Sequence, residues 1–434
     1  MDVKEVGAQG KPVDWLITGL AQVASAKGQG PVSGAAMEAT VQEGVAVAIS
    51  GGEIVAVGDA AELERTYQAK ERFDGQGGVL IPGFVDSHTH PIFFGTREEE
   101  FEMRLAGKTY VEISEAGGGI LSSIRGVREA SKEVLTARLL KRLDRFIEMG
   151  TTTIEAKTGY GLSTADELKC LEVLAEANRL HPIEIVPTFL GAHDVPPEFK
   201  GRKSDYVNLL MEEMLPLVAE SGLAEYCDVF TESHVFGLED SRRLMNRGRE
   251  LGLGVRMHVD QLTPLGGAQL AAELGAASAD HLECVTPEGI DALAAAGVIP
   301  VLCPLVPLYL RQSEEAPARA MIRAGLAPAL ATDFNPGSCY VQSMPEVLTW
   351  AALRYGMSTR EALSAATLNA ACSLGRGARL GTIEPGKQAD LALLDLPNVG
   401  HLTYEFGRNP VVAVWKNGRL VHQRPEVQGV RNSL

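Results

Sequence analysis

Short apolar runs alternate with amphipathic stretches through the middle of the chain. An apolar run followed by a stretch with helical periodicity is typical of a β/α unit around a parallel sheet. Eight runs follow this pattern, and they begin at positions 83, 151, 184, 227, 254, 278, 298 and 328. Eight alternating units favour a closed (β/α)8 barrel of the TIM type over an open doubly wound sheet. The pattern therefore predicts the α/β fold class.

Both ends of the chain have a different texture. Runs such as VAVAIS (45–50) and NPVVAVWKNGRLVH (409–422) are typical of antiparallel strands, and Asn417-Gly418 is a strong signal for a two-residue hairpin. We expect residues 1–82 and 382–434 to form one small β-sandwich domain together, and residues 83–381 to form the barrel.

Composition narrows the possible partners and location. The 434 residues include 40 Lys and Arg against 56 Asp and Glu, a net charge of −16, which disfavours nucleic acid and anionic membranes. The first residues lack the apolar core of a signal peptide, and prolines break the longest apolar stretch, 296–310. The six cysteines are scattered singly, as expected for reduced thiols. We therefore expect a cytoplasmic protein.

Polar residues follow several of the predicted barrel strands, where the catalytic groups of such barrels lie. These residues are His88, His90, His193, His258, Asp280, His281 and Asp333. His88 and His90 are two apart on one strand, so both rings point to one face and can reach one ion. An HxH pair alone is weak evidence, and His258 or Asp333 alone fits a core histidine or a helix cap. His88, His90, His258 and Asp333 together predict a catalytic metal site.

Several segments carry a resemblance to a known family. IPGFVDSHTH (81–90) resembles the first-strand signature of the amidohydrolase superfamily, and ARLGTIEPGKQADLALLD (378–395) is similar to its return into the small β-domain. Within that superfamily, further pieces resemble the imidazolonepropionases in their order along the chain. They are HPIFFGTREEEF (90–101), TYVEISEAGGGI (109–120), EAKTGYGL (155–162), PTFLGAHDVP (187–196), SADHLE (278–283), LATDFNPGS (330–338) and HLTYEFGRNPV (401–411).

The resemblance implies hydrolysis of the cyclic amide of 4-imidazolone-5-propanoate to N-formimidoyl-L-glutamate in histidine degradation, with one divalent ion, zinc or iron. It implies that His88, His90, His258 and Asp333 bind the ion. It also implies a set of residues at the substrate, namely Arg97, Tyr160, His193, Gln261, Asn335, Gly337 and Ser338. For this reaction we expect Asp333 and His281 to carry the protons. The resemblance also implies that the protein forms a homodimer.

Two positions refine these expectations. Gln261 stands where part of the family has a glutamate, and an amide cannot move a proton, so acid–base work falls on His281 and Asp333. Binuclear members of the superfamily bridge two metals with a carboxylated lysine on strand 4, whereas strand 4 here ends in the residues 231–234, TESH. We therefore expect a single ion, and Lys157 to be a structural or outer-shell cation.

Two other functions stay open on the sequence alone. A deaminase of an amino-heterocycle would share the metal site, although it usually needs a glutamate at the position of Gln261. A non-catalytic barrel scaffold would have lost metal ligands, whereas all four are present here. Apart from the resemblance, Arg97 fits a solvated charged face, and Tyr160 and the segment 335–338 fit ordinary turns.

Overall fold

The computed structural model describes residues 10–108, 112 and 118–425, so most of the segment 109–120 singled out above lies outside the described residues. The strands, numbered in chain order, are β1 Lys11–Thr18, β2 Gln22–Ser25, β3 Thr40–Gln42, β4 Val45–Ser50, β5 Glu53–Asp59, β6 Tyr67–Asp74, β7 Val79–Pro82, β8 Phe84–Asp86, β9 Thr151–Lys157, β10 Glu184–Ala192, β11 Tyr226–Thr231, β12 Gly254–Val259, β13 Ser278–His281, β14 Ile299–Leu302, β15 Ala329–Leu330, β16 Leu391–Leu394, β17 Val411–Lys416 and β18 Arg419–Gln423.

Helices follow most of the barrel strands. The α-helices are Ala60–Thr66, Glu98–Leu105, Ile120–Glu129, Lys132–Glu148, Thr164–Leu180, Lys203–Leu209, Leu215–Ser221, Leu238–Glu250, Gly267–Leu274, Pro287–Ala296, Leu305–Leu310, Ala318–Arg323, Met344–Tyr355, Thr359–Ser364, Ala370–Ser373 and His401–Tyr404. Short 3-10 turns lie at Gly34–Met37 and Pro197–Phe199, and π-helical turns at Leu210–Met214 and Ala365–Asn369.

The eight strands β8 to β15 form one sheet in chain order, and each pairs in parallel with the next. The first and last strands meet just beyond their ends, where Thr89 forms a bridge with Phe334. The Asp333 N–H donates to the His88 carbonyl at 3.0 Å, and the His90 N–H donates to the Phe334 carbonyl at 2.9 Å. These bonds close the sheet, and the predicted (β/α)8 barrel is confirmed.

The strands at this seam are shorter than the predicted runs 83–90 and 328–334. Strand β8 ends at Asp86 and β15 contains two residues. The Asp86 carboxylate accepts hydrogen bonds from the Thr332 N–H at 3.0 Å and the Thr332 hydroxyl at 2.6 Å. The Asp86 side chain therefore replaces the regular backbone hydrogen bonds of the sheet at this point. The residues that follow it are not held in regular strand geometry.

Both chain ends contribute to the β-structure outside the barrel. A six-stranded sheet has the order β18-β17-β16-β7-β2-β3, and a four-stranded sheet has the order β5-β4-β1-β6. The Ile54 N–H donates to the Lys387 carbonyl at 2.8 Å and so connects the two segments. Fully buried Trp415 packs edge-on against Phe73, with ring centroids 4.9 Å apart. The limits of this domain at residues 82 and 382 stay a prediction.

The hairpin expected at Asn417-Gly418 is confirmed, because it joins the antiparallel strands β17 and β18. Asn417 has φ +50° and Gly418 has φ +71°, the two positive angles of a type I′ turn. All six cysteines are unpaired. Within the described ranges, no helix has the length and apolar character needed to cross a membrane.

Candidate metal centre and active site

Four predicted ligands converge at the carboxyl ends of the barrel strands. The His88 Nε2 lies 3.3 Å from the His90 Nε2, which lies 3.4 Å from the His258 Nε2. The Asp333 Oδ1 lies 3.4 Å from the Nε2 atoms of both His88 and His90. All four side chains are buried. The structure therefore brings together side chains from the segment after β8, from strand β12 and from the segment after β15.

These separations fit a divalent cation. Ligand atoms at about 2.0–2.1 Å from a tetrahedral ion are separated by about 3.3–3.4 Å, because the edge of a tetrahedron is roughly 1.6 times the distance from its centre. Four of the six separations among these donor atoms lie at these values. Three imidazoles and one carboxylate are donors that suit zinc and iron. The donor set and these separations therefore fit a divalent metal ion.

Carboxylates behind the histidines orient their rings. The His88 Nδ1 lies 2.6 Å from the Asp280 Oδ2, so its N–H donates there and leaves the Nε2 lone pair facing the centre. The His258 Nδ1 lies 3.0 Å from the Asp228 Oδ2. Burial raises the pKa of Asp228, but the nearby His258 and Lys157 outweigh it and hold that pKa well below its usual range. Asp228 is therefore a carboxylate with a fixed negative charge.

Sequence reasoning missed several charged residues beneath the ligands. Glu155 lies on β9, Asp228 on β11 and Arg256 on β12, and all three are buried. Each lies within a mostly apolar or β-branched strand sequence, TTTIEAK, YCDVFT or GVRMHV. A charge inside such a strand is rarely buried without a partner. Such a charge is the signal that would have found them.

His281 lies beside the ligands, with its ring centroid 5.1 Å from that of His88. One ring nitrogen of His281 also lies within 4.8 Å of the donor atoms of His88 and His258. Its Nδ1 is 3.7 Å from the Glu283 Oε1, and both Glu283 oxygens are buried without a hydrogen-bond partner among the described residues. Burial lowers the pKa of His281, but Glu283 and Asp333 raise it overall, to about 9. Glu283 is thus the carboxylate that faces this ring.

The backbone is strained where these residues leave their strands. Asp333 has φ +50°, and His281 and Leu282 have φ +80° and +71°. Left-handed angles cost non-glycine residues about 1–2 kcal/mol each, and they cluster at functional sites. Burial raises the pKa of the Asp333 carboxyl to about 7, although the neighbouring His281 lowers it. The strained turns aim both side chains into the mouth of the barrel.

Tyr160 and His193 form a wall beside His90. The His193 ring stacks on the His90 ring at 5.1 Å, and the Tyr160 ring lies 5.3 Å from His193. The His193 Nδ1 lies 2.9 Å from the Gly159 carbonyl, to which its N–H donates, so its Nε2 is the nitrogen left for a ligand. Burial and the adjacent His258 lower the pKa of His193 to about 4, so this ring is neutral near pH 7.

A buried carboxylate holds the turn that carries Tyr160. Glu167 accepts hydrogen bonds from the N–H groups of Gly159, Gly161 and Leu162 at 2.8–3.2 Å. A Cβ on Gly161 would lie 2.7 Å from the backbone nitrogen of Glu167, so the turn leaves no room for another residue. This packing fixes the position of Tyr160.

Arg97 and the segment 335–338 form a second wall. The Arg97 Nε and Nη2 donate to the Glu100 carboxylate at 2.6–3.0 Å. The Asn335 Nδ2 donates to the Asp333 carbonyl and the Ser338 hydroxyl, both at 2.7 Å, and its Oδ1 accepts from the N–H groups of Gly337 and Ser338. A Cβ on Gly337 would lie 2.3 Å from the Arg97 Nη1, so only glycine allows this approach.

Gln261 lies two residues after the end of strand β12, and 8% of its surface is exposed. The Asp260 carboxylate accepts from the N–H groups of residues 266–268 at 2.9–3.0 Å. The Glu232 carboxylate accepts from the Leu262 N–H at 2.7 Å. The chain on both sides of Gln261 is therefore anchored by buried carboxylates.

Comparison with known proteins places the chain among close relatives. Residues 79–421 match the family model described as "Amidohydrolase family". A protein of Symbiobacterium thermophilum named imidazolonepropionase is 47% identical over 423 residues, which cover 96% of this chain and 99% of that protein. A protein of Solibacter usitatus with the same name is 48% identical over 398 residues, covering 91% of this chain and 95% of that protein.

The fold recurs in solved structures of low sequence identity. An adenosine deaminase from Xanthomonas campestris, described as having bound zinc, superposes with a TM-score of 0.69 at 22% identity. The match covers 95% of this chain and 93% of that chain. At this identity the likeness concerns the fold alone.

The converging donor atoms lead to a prediction about metal content. His258→Ala and Asp333→Ala each remove one of the four donors, so we expect bound metal to fall well below one equivalent per chain while the far-UV circular dichroism stays unchanged. Elemental analysis after metal loading and desalting measures this. His401→Ala is the matched control, because His401 lies outside the barrel mouth with 36% of its side chain exposed. Full occupancy in either site variant would remove that residue from the ligand set.

Proposed function

Because this chain belongs to the amidohydrolase family and, within it, to the imidazolonepropionases, we propose that it hydrolyses the ring amide of 4-imidazolone-5-propanoate. Water adds to the ring carbonyl, the carbonyl carbon–nitrogen bond breaks, and the product is N-formimidoyl-L-glutamate, in a step of histidine degradation. The observation that carries this proposal is the identity of 47% over nearly the full length of both chains. The homodimer and the cytoplasmic location rest on the family resemblance and the composition alone.

We propose that one ion, zinc or iron, is held by His88, His90, His258 and Asp333. The support is the spacing of their four donor atoms, at 3.3–3.4 Å. When bound, such an ion lowers the pKa of a coordinated water toward neutrality and so supplies the hydroxide for attack on the ring carbonyl. The neutral imidazoles and the carboxylate suit both metals.

The proton route that we propose runs between Asp333 and His281. Asp333 accepts the proton of the attacking water, because its carboxylate already faces the ligand nitrogens and its second oxygen accepts from the Ser338 hydroxyl at 3.5 Å. His281 donates toward the carbonyl oxygen or the leaving ring nitrogen. Glu283, at 3.7 Å from the His281 Nδ1, supports the protonated form of this ring.

Gln261 has a binding role in this proposal. Its amide both donates and accepts hydrogen bonds but does not carry protons, so it fits the N–C–N edge of the imidazolone ring. A glutamate at this position is usual in deaminases, and its replacement by glutamine favours the ring hydrolase over the deaminase.

The propanoate tail of the substrate needs cationic and hydroxyl donors. We propose Arg97 and Tyr160 for this task, with the neutral His193 ring packed beside Tyr160. The Glu100 carboxylate occupies the Nε side of the Arg97 guanidinium, which leaves Nη1 and the outer hydrogen of Nη2 for the tail. Asn335 uses all its hydrogen-bonding positions inside the turn, and so it presents Gly337 and Ser338 as the wall beside Arg97.

The direct test of the function uses purified, metal-loaded protein and 4-imidazolone-5-propanoate. We expect the absorbance of the ring to disappear in step with the appearance of N-formimidoyl-L-glutamate, identified by mass spectrometry. Amino-heterocycles such as cytosine and adenosine serve as controls for the deaminase reaction. Release of ammonia from one of these, without turnover of the imidazolone, would replace the proposed function with the alternative.

The tail contact predicts a selective effect of Arg97→Lys. An ammonium cannot reproduce the planar pair of donors, so we expect KM to rise about 10-fold to 100-fold with a small change in kcat. Steady-state kinetics with the substrate, and competition by an analogue that lacks the carboxylate, measure the effect. Arg179→Lys is the control, because Arg179 forms an exposed ion pair with Glu176 on the protein surface. An equal loss for substrate and analogue would show that Arg97 does not contact the tail.

The proton route predicts different kinetic effects for two neighbouring side chains. His281→Ala removes a positioned acid, so we expect kcat to fall about 10²-fold to 10⁴-fold. Gln261→Ala removes a ring contact and should raise KM more than it lowers kcat. Separate measurement of kcat and KM for both variants decides this. The route is wrong if Gln261→Glu raises kcat while His281→Ala leaves it nearly unchanged.

A further inference from the structure

Lys157 is a buried cation surrounded by carboxylates beneath the ligand cluster. Its side chain has no exposed surface. Its Nζ lies 2.8 Å from the Glu155 Oε1, 2.8 Å from the Asp228 Oδ2 and 3.6 Å from the Asp280 Oδ2. One ammonium therefore contacts three buried acidic side chains, whose negative charges would repel one another more strongly without it.

Two of these oxygens also contact the predicted ligands. The Asp228 Oδ2 that accepts from Lys157 is the atom 3.0 Å from the His258 Nδ1. The Asp280 Oδ2 that faces Lys157 is the atom 2.6 Å from the His88 Nδ1. The ammonium thus contacts the same two carboxylate oxygens that face the Nδ1 atoms of His88 and His258.

The third ligand histidine is reached through the backbone. The Lys157 N–H donates to the Thr89 carbonyl at 2.9 Å. The Glu155 carboxylate, which accepts from the Lys157 ammonium, also accepts from the Thr89 N–H at 3.2 Å. Thr89 lies between His88 and His90, so the same residue pair fixes the peptide that carries both rings.

We propose that Lys157 is a positioning residue of the metal centre, which orients His88 and His258 through Asp280 and Asp228 and so sets the affinity for the ion. This rests on the metal site of the proposed function. Hydrogen-bond partners behind ligand histidines fix the ring orientation and raise the basicity of the donor nitrogen. Without the ammonium, the Asp228 Oδ2 loses its lysine partner and the Asp280 Oδ2 keeps Arg256, at 3.5 Å, as its cation, so the two oxygens that face the ligand rings are held less firmly.

The test compares Lys157→Met with the unchanged protein in competition with a chromophoric chelator for Zn²⁺. Methionine keeps the length of the side chain without the charge. We expect the affinity to fall about 10-fold to 100-fold, the usual effect of losing such a partner, and the visible absorption of the Co²⁺-loaded protein to change. An affinity within twofold of the unchanged protein, in a folded variant, would overturn the proposal.

Lys416→Met is the matched control. Lys416 is also buried, with its Nζ 2.6 Å from the Asp390 Oδ2 and 3.5 Å from the Glu184 Oε2. Unlike the partners of Lys157, these two carboxylates do not contact a ligand histidine. A role that is only structural predicts equal effects of both lysine variants on stability and on metal affinity. The positioning role predicts that Lys416→Met lowers the melting temperature and leaves the affinity unchanged.

A second comparison keeps the proposal testable if Lys157→Met does not fold. Lys157→Met combined with Asp228→Asn removes one charge of each sign, and its affinity is compared with that of Asp228→Asn alone. A further loss of threefold or more supports action through Asp280 and Thr89, whereas equal or tighter binding overturns it. These affinities need no substrate, so a failed hydrolysis assay refutes the proposed function and leaves this inference standing.

Discussion

The lone pairs of three neutral imidazoles and one carboxylate face one point, and so these four groups repel one another. The other groups at the barrel mouth oppose this repulsion. A bound cation would cancel the repulsion at its centre, whereas the protein opposes it by holding the far sides of the rings. Asp280 and Asp228 do so by holding the Nδ1 sides of His88 and His258. Those carboxylates are themselves charges in a buried place, and Lys157 and Arg256 balance them. The site thus has three layers, which are the ligand residues, the carboxylates behind them and the cations that balance those carboxylates, and each layer stabilises the one inside it.

This layering explains why the sequence predicts some parts of the site and not others. The eight apolar runs and the polar residues that follow them are local patterns, so they predict the barrel and bring His88, His90, His258 and Asp333 into view. The roles of Asp228 and Glu283 depend on neighbours that are distant along the chain. Asp228 on β11 meets His258 on β12 only after the strands pair in register, with Phe230 opposite His258.

Backbone geometry accounts for the remaining differences. The runs 83–90 and 328–334 read as full strands because side-chain pattern does not reveal where ladder bonds stop. In the structure the Asp86 carboxylate takes over from the ladder and binds Thr332. The positive φ angles of His281 and Asp333 are likewise not located by residue type, because Asp and His adopt such angles more often than most residues but still only at a few positions. Tertiary contacts impose them, and the direction of both side chains follows.

The closure of the barrel determines when, during synthesis and folding, the four donor residues come together. The His88 carbonyl accepts from the Asp333 N–H, and Thr89 bridges to Phe334, so the ligand cluster straddles the join between the first and the last barrel strands. A chain emerging from the ribosome has its first two histidines early, but it lacks the fourth donor until residue 333 has been made and β15 has docked beside β8. If these four residues hold the ion as proposed, its capture by all four donors is a late event in biosynthesis, and the ion then links the first and last strands of the barrel.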